Sequence, residues 1–316
     1  MTAVSTTWIP AGNTGAKLYA CTKAMSDALT AVGLLKTADT GQIDLTSITS
    51  ITPPTSAPAN QPKEYAYEMR RLQAAGKPTI YIRVSYCVVP TAANSAATYR
   101  VAVYFRAGLL TDGAGTLAGA TQVYEMNPFN YSTGPADQTS MTAVRNLYVA
   151  SDGQNYLTVI NDPLGLATTS GYRYGYMNFF CERTVDYLSG NYDSDGFISG
   201  NAGASGEGYS AFQILNIKSG NSYYSSVTPY QVPGTIFTSS AGLTTALIMP
   251  LSVVIPDPKG PAICSVLAYA ADTTAGGQYD IAMYGVTRRY MEIGPRYTAA
   301  IPLLAPSDVR VLARFD

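Results

Sequence analysis

From Glu64 almost to the end of the chain one pattern recurs: short runs in which two kinds of side chain alternate at every second residue. A period of two places successive side chains on opposite faces of an extended backbone, so each run is expected to be a β-strand with two differently used faces. Tyr65, Tyr67 and Met69 alternate with Glu64, Glu68 and Arg70. Ile80, Ile82, Val84, Tyr86 and Val88 form one face of a long strand. Tyr99, Val101, Val103 and Phe105 form another, with Arg100 and Arg106 opposite. Runs at 144–150 and 155–160 flank Ser151-Asp152-Gly153-Gln154, and Asp-Gly between two such runs is a strong hairpin signal. Tyr172, Tyr174, Tyr176, Asn178 and Phe180 begin a long run, which enters the charge cluster Glu182-Arg183-Thr184-Val185-Asp186 and then the turn-rich stretch 189–196. Further strands are expected over 210–217, 246–255, 263–268, 279–286 and 309–315, separated by Gly- and Ser-rich spacers such as 199–208.

The first 62 residues are different. Residues 1–12 read as an extended arm with Trp8-Ile9 as a hydrophobic plug, seated either on the chain's own core or on a neighbouring copy. Asn13 or Thr14 can cap a helix that begins at Gly15 or Ala16 and runs to about residue 35. Leu18, Cys21, Met25, Ala28, Val32 and Leu35 recur at three- and four-residue spacing and make one apolar stripe, expected to pack on a sheet or on a partner helix. Lys23 and Asp27 form an i,i+4 pair elsewhere on the surface, and Gly33 is an end signal. Residues 46–62 are rich in Ser, Thr and Pro, and proline excludes both a helix and a central strand there. The expected fold is therefore mainly β, a β-rich α+β class: antiparallel sheets or a sandwich with one N-terminal helix and extended arms. Residues 1–62 would be arm, helix and linker, and 63–316 the β-rich body.

Charge sets the limits on function. Charged residues are 13% of the chain, 20 basic against 21 acidic, for a net charge of −1; about 25% charged is usual. The polar surface must then be built from Ser, Thr, Asn, Gln, Gly and Tyr, which repels copies of itself poorly and is inexpensive to bury. The 25 Tyr and 8 Phe supply anchors of the kind interfaces favour. Balanced charge argues against a nucleic-acid partner, since Arg70-Arg71 and Arg288-Arg289 each have acidic company in Glu68 and Glu292. No run is long and apolar enough for a membrane helix: the longest, 243–255, is broken by Pro250. No secretory leader is legible, and synthesis in a cytoplasm is expected. Histidine is absent, which removes Ser–His–Asp and Cys–His systems and most zinc or iron sites. Cys21, Cys87, Cys181 and Cys264 are isolated among apolar or small neighbours and read as buried free thiols.

The remaining motifs favour structural readings. Asn191-x-Asp193-x-Asp195-Gly196 matches the first half of a calcium loop, but the twelfth position is Ala202 rather than Glu, so a plain Asx-rich turn is preferred. Glu182, Arg183 and Asp186 read as an arginine–carboxylate pair that fixes a strand exit or bridges to a neighbour, ahead of an acid pair for glycoside chemistry. The glycine runs at 111–115 and 199–208 precede no helix and support no phosphate site. The tyrosines at 172–176 are read as cross-strand packing ahead of sugar stacking. No catalytic, cofactor-binding or metal-binding residue is assigned, and no cofactor is expected.

Three stretches together resemble the virion structural proteins of tailed bacteriophages. They are the Trp8-Ile9-Pro10 arm with its helix ending near Gly33-Leu34-Leu35, the strand into Phe180-Cys181-Glu182-Arg183-Thr184-Val185-Asp186, and the finish at Tyr284–Tyr290 and Arg314-Phe315-Asp316. The resemblance implies a non-enzymatic component of a virion, made in the host cytoplasm, that forms a symmetric homo-oligomer in the tail, collar or baseplate region with other virion proteins as partners. In that picture the N-terminal arm and residues 46–62 fasten neighbours. A carbohydrate- or receptor-binding module and a capsid decoration protein are the alternatives.

Overall fold

The structure is a computed structural model that describes residues 2–9, 14–54, 62–90, 99–126, 144–161, 178–186, 192–201, 211–216, 222–225, 249–254, 261–271, 277–283, 286–292 and 309–316. Within these the fold is mainly β, with antiparallel sheets and a single helix. The chain opens with β1 (Thr2–Trp8), helix α1 (Gly15–Ala31) and β2 (Leu35–Lys36). There follow β3 (Lys63–Leu72), β4 (Ile80–Pro90), β5 (Tyr99–Thr111), β6 (Leu117–Ala120) and β7 (Tyr124–Met126). These make one sheet in the order β2-β3-β4-β5-β6, with β7 also on β5.

The second sheet takes β1 together with β8 (Arg145–Ser151), β9 (Tyr156–Asn161), β10 (Asn178–Asp186), β11 (Tyr192–Asn201), β12 (Ala211–Asn216) and β13 (Ser222–Ser225). It continues through β14 (Met249–Val254), β15 (Pro261–Ala271), β16 (Gln278–Met283), β17 (Val286–Glu292) and β18 (Val309–Arg314). Its main path is β1-β8-β9-β10-β15-β18-β17-β16; β11, β12 and β13 extend from β10, and β14 pairs with β15.

Helix α1 shows why its residues chose that form. Thr14 Oγ1 accepts from Lys17 N at 3.3 Å, closing the first turn. At the other end Gly33 sits at φ 80°, a conformation that suits glycine. Gly33 N donates to Thr30 O (2.9 Å) and Leu34 N to Leu29 O (3.1 Å), a paired cap that satisfies the last carbonyls. This reversal corrects one member of the expected stripe. Leu18, Cys21, Met25, Ala28 and Val32 are buried, but Leu34 goes inward and Leu35 is 57% exposed, because the helical period ends before it arrives.

The stripe packs on a sheet, against β1 and β8. At its N-terminus Gly15 is required by a close approach: a Cβ there would lie 2.6 Å from Ile51 O, and Ile51 N donates to Gly15 O at 3.1 Å. Ser50 and Ile51 thus lie against the start of the chain's own helix, with Ile51 buried; residues 55–61 fall outside the described part.

The N-terminal arm is likewise seated on its own chain. β1 pairs with β8 in unbroken register from Thr2↔Ser151 to Trp8↔Arg145. Trp8 is 3% exposed, and its indole nitrogen donates to Asn161 Oδ1 at 2.8 Å. Of the two seats open to the arm in the sequence, the structure contains the intramolecular one.

The two sheets and the helix share one core. Val84, Tyr86, Val103 and Phe105 of the first sheet meet Leu147, Val159, Phe179 and Cys181 of the second. Phe105 and Phe179 stack with ring centroids 4.5 Å apart, which fixes how the sheets face each other. The far faces of β8 and β9 are covered in turn by the C-terminal segment: Phe315 meets the Tyr148 ring edge-on at 5.5 Å, and the Arg314 guanidinium lies 4.0 Å from the Tyr156 ring centre. β9 is buried on both faces as a result.

Trp8 is the one tryptophan of the chain, so its emission reports the seat of the arm directly. Fluorescence is expected to be blue-shifted and shielded from quenchers in dilute native protein, and to shift red on unfolding. Trp8→Ala is expected to cost about 3–5 kcal/mol in denaturant unfolding, through the lost volume and the stranded Asn161 carbonyl oxygen.

Candidate functional site

The best-built polar site is internal. β3 carries Glu68 and Arg70 two residues apart, hence on one face, and that face turns toward α1. Glu68 is 0% exposed and Arg70 1%. One Glu68 oxygen accepts from Ser26 Oγ at 2.7 Å and Lys36 Nζ at 2.6 Å; the other accepts from Arg70 Nη2 at 2.7 Å and Nε at 3.1 Å. Arg70 also donates to Thr30 Oγ1 (2.8 Å), Leu34 O (2.8 Å) and Ser26 O (3.0 Å). The guanidinium therefore lies beside the last turns of the helix and the chain that leaves it, near the end where the macrodipole favours a cation.

Burial alone would raise the Glu68 pKa, but the Arg70 charge and the hydrogen bonds from Lys36 and Ser26 outweigh it and hold the carboxyl below its usual range. The neighbouring Tyr86 hydroxyl moves the other way, pushed well up by burial and then by the Glu68 charge. A carboxylate so enclosed is no proton shuttle. It is a tie between sheet and helix.

The sequence placed Glu68 and Arg70 opposite Tyr65, Tyr67 and Met69 without showing which face is inside. A register shift between Glu64 and Ala66 re-aims the strand, so that Tyr65 also reaches the helix, its hydroxyl 2.9 Å from Thr22 Oγ1. One signal was legible: Thr22, Ser26 and Thr30 recur every four residues, a hydroxyl stripe beside the apolar one.

On the opposite face of the same sheet lies an open crevice of about 260 Å³ lined by Glu64, Arg83, Ser85, Tyr104, Arg106 and Thr116, among others. Arg83 is held on every side: Nη2 donates to Glu64 at 2.7 Å, Nε to Ser85 Oγ at 3.0 Å, Nη1 to Gly115 O, and the Tyr67 ring centre lies 4.2 Å away. Glu64 is the one carboxylate among the lining residues, so the crevice offers no acid pair of the kind glycoside cleavage requires. A second crevice, about 390 Å³, is bordered by Ala3, Asp280, Thr287, Arg288, Arg289, Phe315 and Asp316. There Arg289 grips Asp280 at 2.8 and 3.1 Å, and its hydrogen bonds hold that carboxyl below the usual range.

The motifs singled out in the sequence fall as follows. Glu182 and Arg183 lie on β10 and are both buried. Arg183 reaches carbonyls: Gln154 O at 3.1 Å, Leu72 O at 3.3 Å and Pro78 O at 2.6 Å. It bridges the two sheets, in place of the expected arginine–carboxylate pair. Burial lowers its pKa, an effect that the nearby Cys181 and Asp152 oppose. Asp186 continues the strand and pairs by backbone with Ala262.

Residues 192–196, expected in a turn, are strand: β11 runs between β10 and β12. The 111–115 stretch is the β5–β6 turn, with Gly113 and Gly115 at positive φ and Asp112 Oδ1 accepting from Ala114 N and Thr116 N. The tyrosines at 172–176 lie outside the described residues. Cys21, Cys87 and Cys181 are buried free thiols, and burial pushes the Cys21 and Cys181 pKa values up. Among the described residues no three His, Cys, Asp or Glu side chains gather as metal ligands, and no helix is long and apolar enough to cross a membrane.

Glu68→Gln keeps the shape of the side chain and removes its charge, leaving Arg70 and Lys36 facing each other; it is expected to cost about 3–5 kcal/mol at neutral pH. The sign with pH follows from the depressed folded pKa. The contribution is complete above the unfolded value of about 4.3 and fades as pH falls through the lower folded value. Chemical unfolding from pH 7 down to 3 should therefore show the gap between wild type and variant closing below about pH 4. The chain stands apart in comparison with known proteins: no family model, no curated protein and no solved structure matches it.

Proposed function

We propose that the protein is a non-enzymatic structural component of a tailed-phage virion, assembling as a symmetric homo-oligomer in the tail, collar or baseplate region. One observation carries the assembly part. The chain has few charges, and Glu68, Arg70, Arg145, Glu182, Arg183 and Arg314 are buried. These six contribute no charge to the surface, and with a net charge of −1 little electrostatic repulsion keeps copies apart. The virion placement rests on the resemblance of the Trp8-Ile9-Pro10, 180–186 and C-terminal stretches to such proteins. β1 is paired with β8 of its own subunit and Ile51 is bonded to Gly15, so strand edges and neutral surface are proposed to carry contacts between copies.

Light scattering behind size exclusion tests the reading. A discrete oligomer larger than 33.5 kDa, little changed between about 0.05 and 0.5 M salt, is expected, because uncharged contacts are not screened. The protein should also be found by mass spectrometry in purified particles of a phage that encodes it. A monomer at every concentration, missing from particles, would sink the proposal.

A further inference from the structure

We infer that strand β1 is the contact through which two copies of this chain join, pairing antiparallel with β1 of the second copy about Ser5. The inference rests on the self-assembly proposed above and names its contact.

An edge strand presents unpaired backbone donors and acceptors, and proteins that stay alone guard their edges with charge, proline, bulges or brevity. The edges among the described residues are guarded in these ways, with one exception. β2 is two residues long and includes Lys36. β6, β7 and β13 have four, three and four residues. β14 contains Pro250 and a register break beside it. β16, at the far end of the main path, carries Asp280 tied to Arg289 on the exposed surface.

β1 has none of these. It is seven residues, Thr-Ala-Val-Ser-Thr-Thr-Trp, without charge or proline, and it pairs with β8 without a bulge. Among the described residues β8 is its one strand partner. Thr2, Ala3, Ser5 and Thr7 are exposed.

The sequence of β1 suits a copy of itself. A two-fold axis at Ser5, the midpoint, sets Val4 opposite Thr6 of the second copy and Ala3 opposite its Thr7. β-branched and hydroxyl pairs of this kind are favourable across strands. With no charge on the strand, a self-pair sets no like charges opposite each other, and a strongly acidic or basic foreign strand finds no counter-charge on it. The two large sheets would then continue through the axis. Seven residues give a ladder of only ~24 Å, and an interface of that width falls below the ~1,600 Å² of a standard stable complex. The pair is therefore concentration-dependent by itself and serves as one contact of a larger symmetric body.

Ser5 allows a direct test, since the exposed side chain meets its own symmetry mate. Ser5→Lys places two ammonium groups opposite each other, and the dissociation constant measured by sedimentation should rise about tenfold. Ser5→Asp alone should do the same, and an equimolar mixture of the two should restore association. Ser5→Cys should form a disulfide-linked dimer on mild oxidation, because directly opposed residues have Cα atoms about 4.5–5.5 Å apart. Lys23→Cys, on the exposed side of α1, should not.

Trp8 fluorescence shows in each variant that β1 remains seated. Wild-type association that persists unchanged in Ser5→Lys, with no cross-linking through Ser5→Cys, overturns this contact while leaving self-assembly intact. A wild type that never associates overturns both.

Discussion

A carboxylate and a guanidinium with no access to water hold the helix on the sheet, and much of the fold is arranged around satisfying them. Moving either group out of water costs several kcal/mol, recovered only when every oxygen and nitrogen finds a partner. Ser26 and Thr30 of α1, Lys36 of β2 and the Leu34 carbonyl supply those partners to Glu68 and Arg70. Each comes from a different point along the helix and its exit. The helix cannot slide by a turn, nor can Gly33 lose its reversed conformation, without stranding a buried charge. Apolar packing would tolerate such shifts more readily; the ionic tie specifies one register.

A buried arginine also joins the two sheets, through backbone carbonyls. Arg183 leaves β10 and donates to Leu72 O and Pro78 O on the other sheet, while Phe105 and Phe179 stack nearby. Gln73 N adds a backbone bond to Gly153 O of the β8–β9 turn. Aromatic stacking supplies area and the arginine supplies alignment. At the far side Arg314 repeats the arrangement, over the Tyr156 ring and bonded to Asp316. Three arginines thus fix three layer contacts: helix to sheet, sheet to sheet, and C-terminal strands to the β9 face.

How much of this the sequence discloses depends on whether local pattern or distant contact decides. Thr14, the apolar stripe and Gly33 define α1 from within, and Ile80–Val88 turned out buried on the alternating face that their period requires. Asp152 and Gly153 mark the β8–β9 turn by their own chemistry. The misses are residues whose state is set elsewhere. Thr2–Thr7 has little apolar alternation and becomes a strand only because β8 offers an edge. Asp193 and Asp195 are turn formers carried within β11, but at a register break: Val185 pairs with Tyr192 and Arg183 with Phe197, so turn propensity is expressed as an irregularity inside a strand. Nothing in Glu68-Met69-Arg70 says that the charged face is the inner one; a bulge five residues upstream and the hydroxyls of a helix forty residues away decide it. The sequence therefore showed only the hydroxyl stripe of the internal tie, while the elements it joins were plain.

A chain with few charges has few to supply to both its junctions and its edges. Here Glu68, Arg70, Lys36, Arg183, Arg314 and the Glu64–Arg83 pair all serve junctions. On the edge strands, among the described residues, there are Asp280 of β16, tied to Arg289 of β17, and Lys36 of β2, which serves a junction as well. An edge strand without charge is a standing template for another strand. The interior ties give alignment that an apolar core supplies less sharply, and a rigid, well-aligned body with a neutral edge is what repeated identical contacts require. The burial of charge and the bareness of β1 are thus two sides of one allocation.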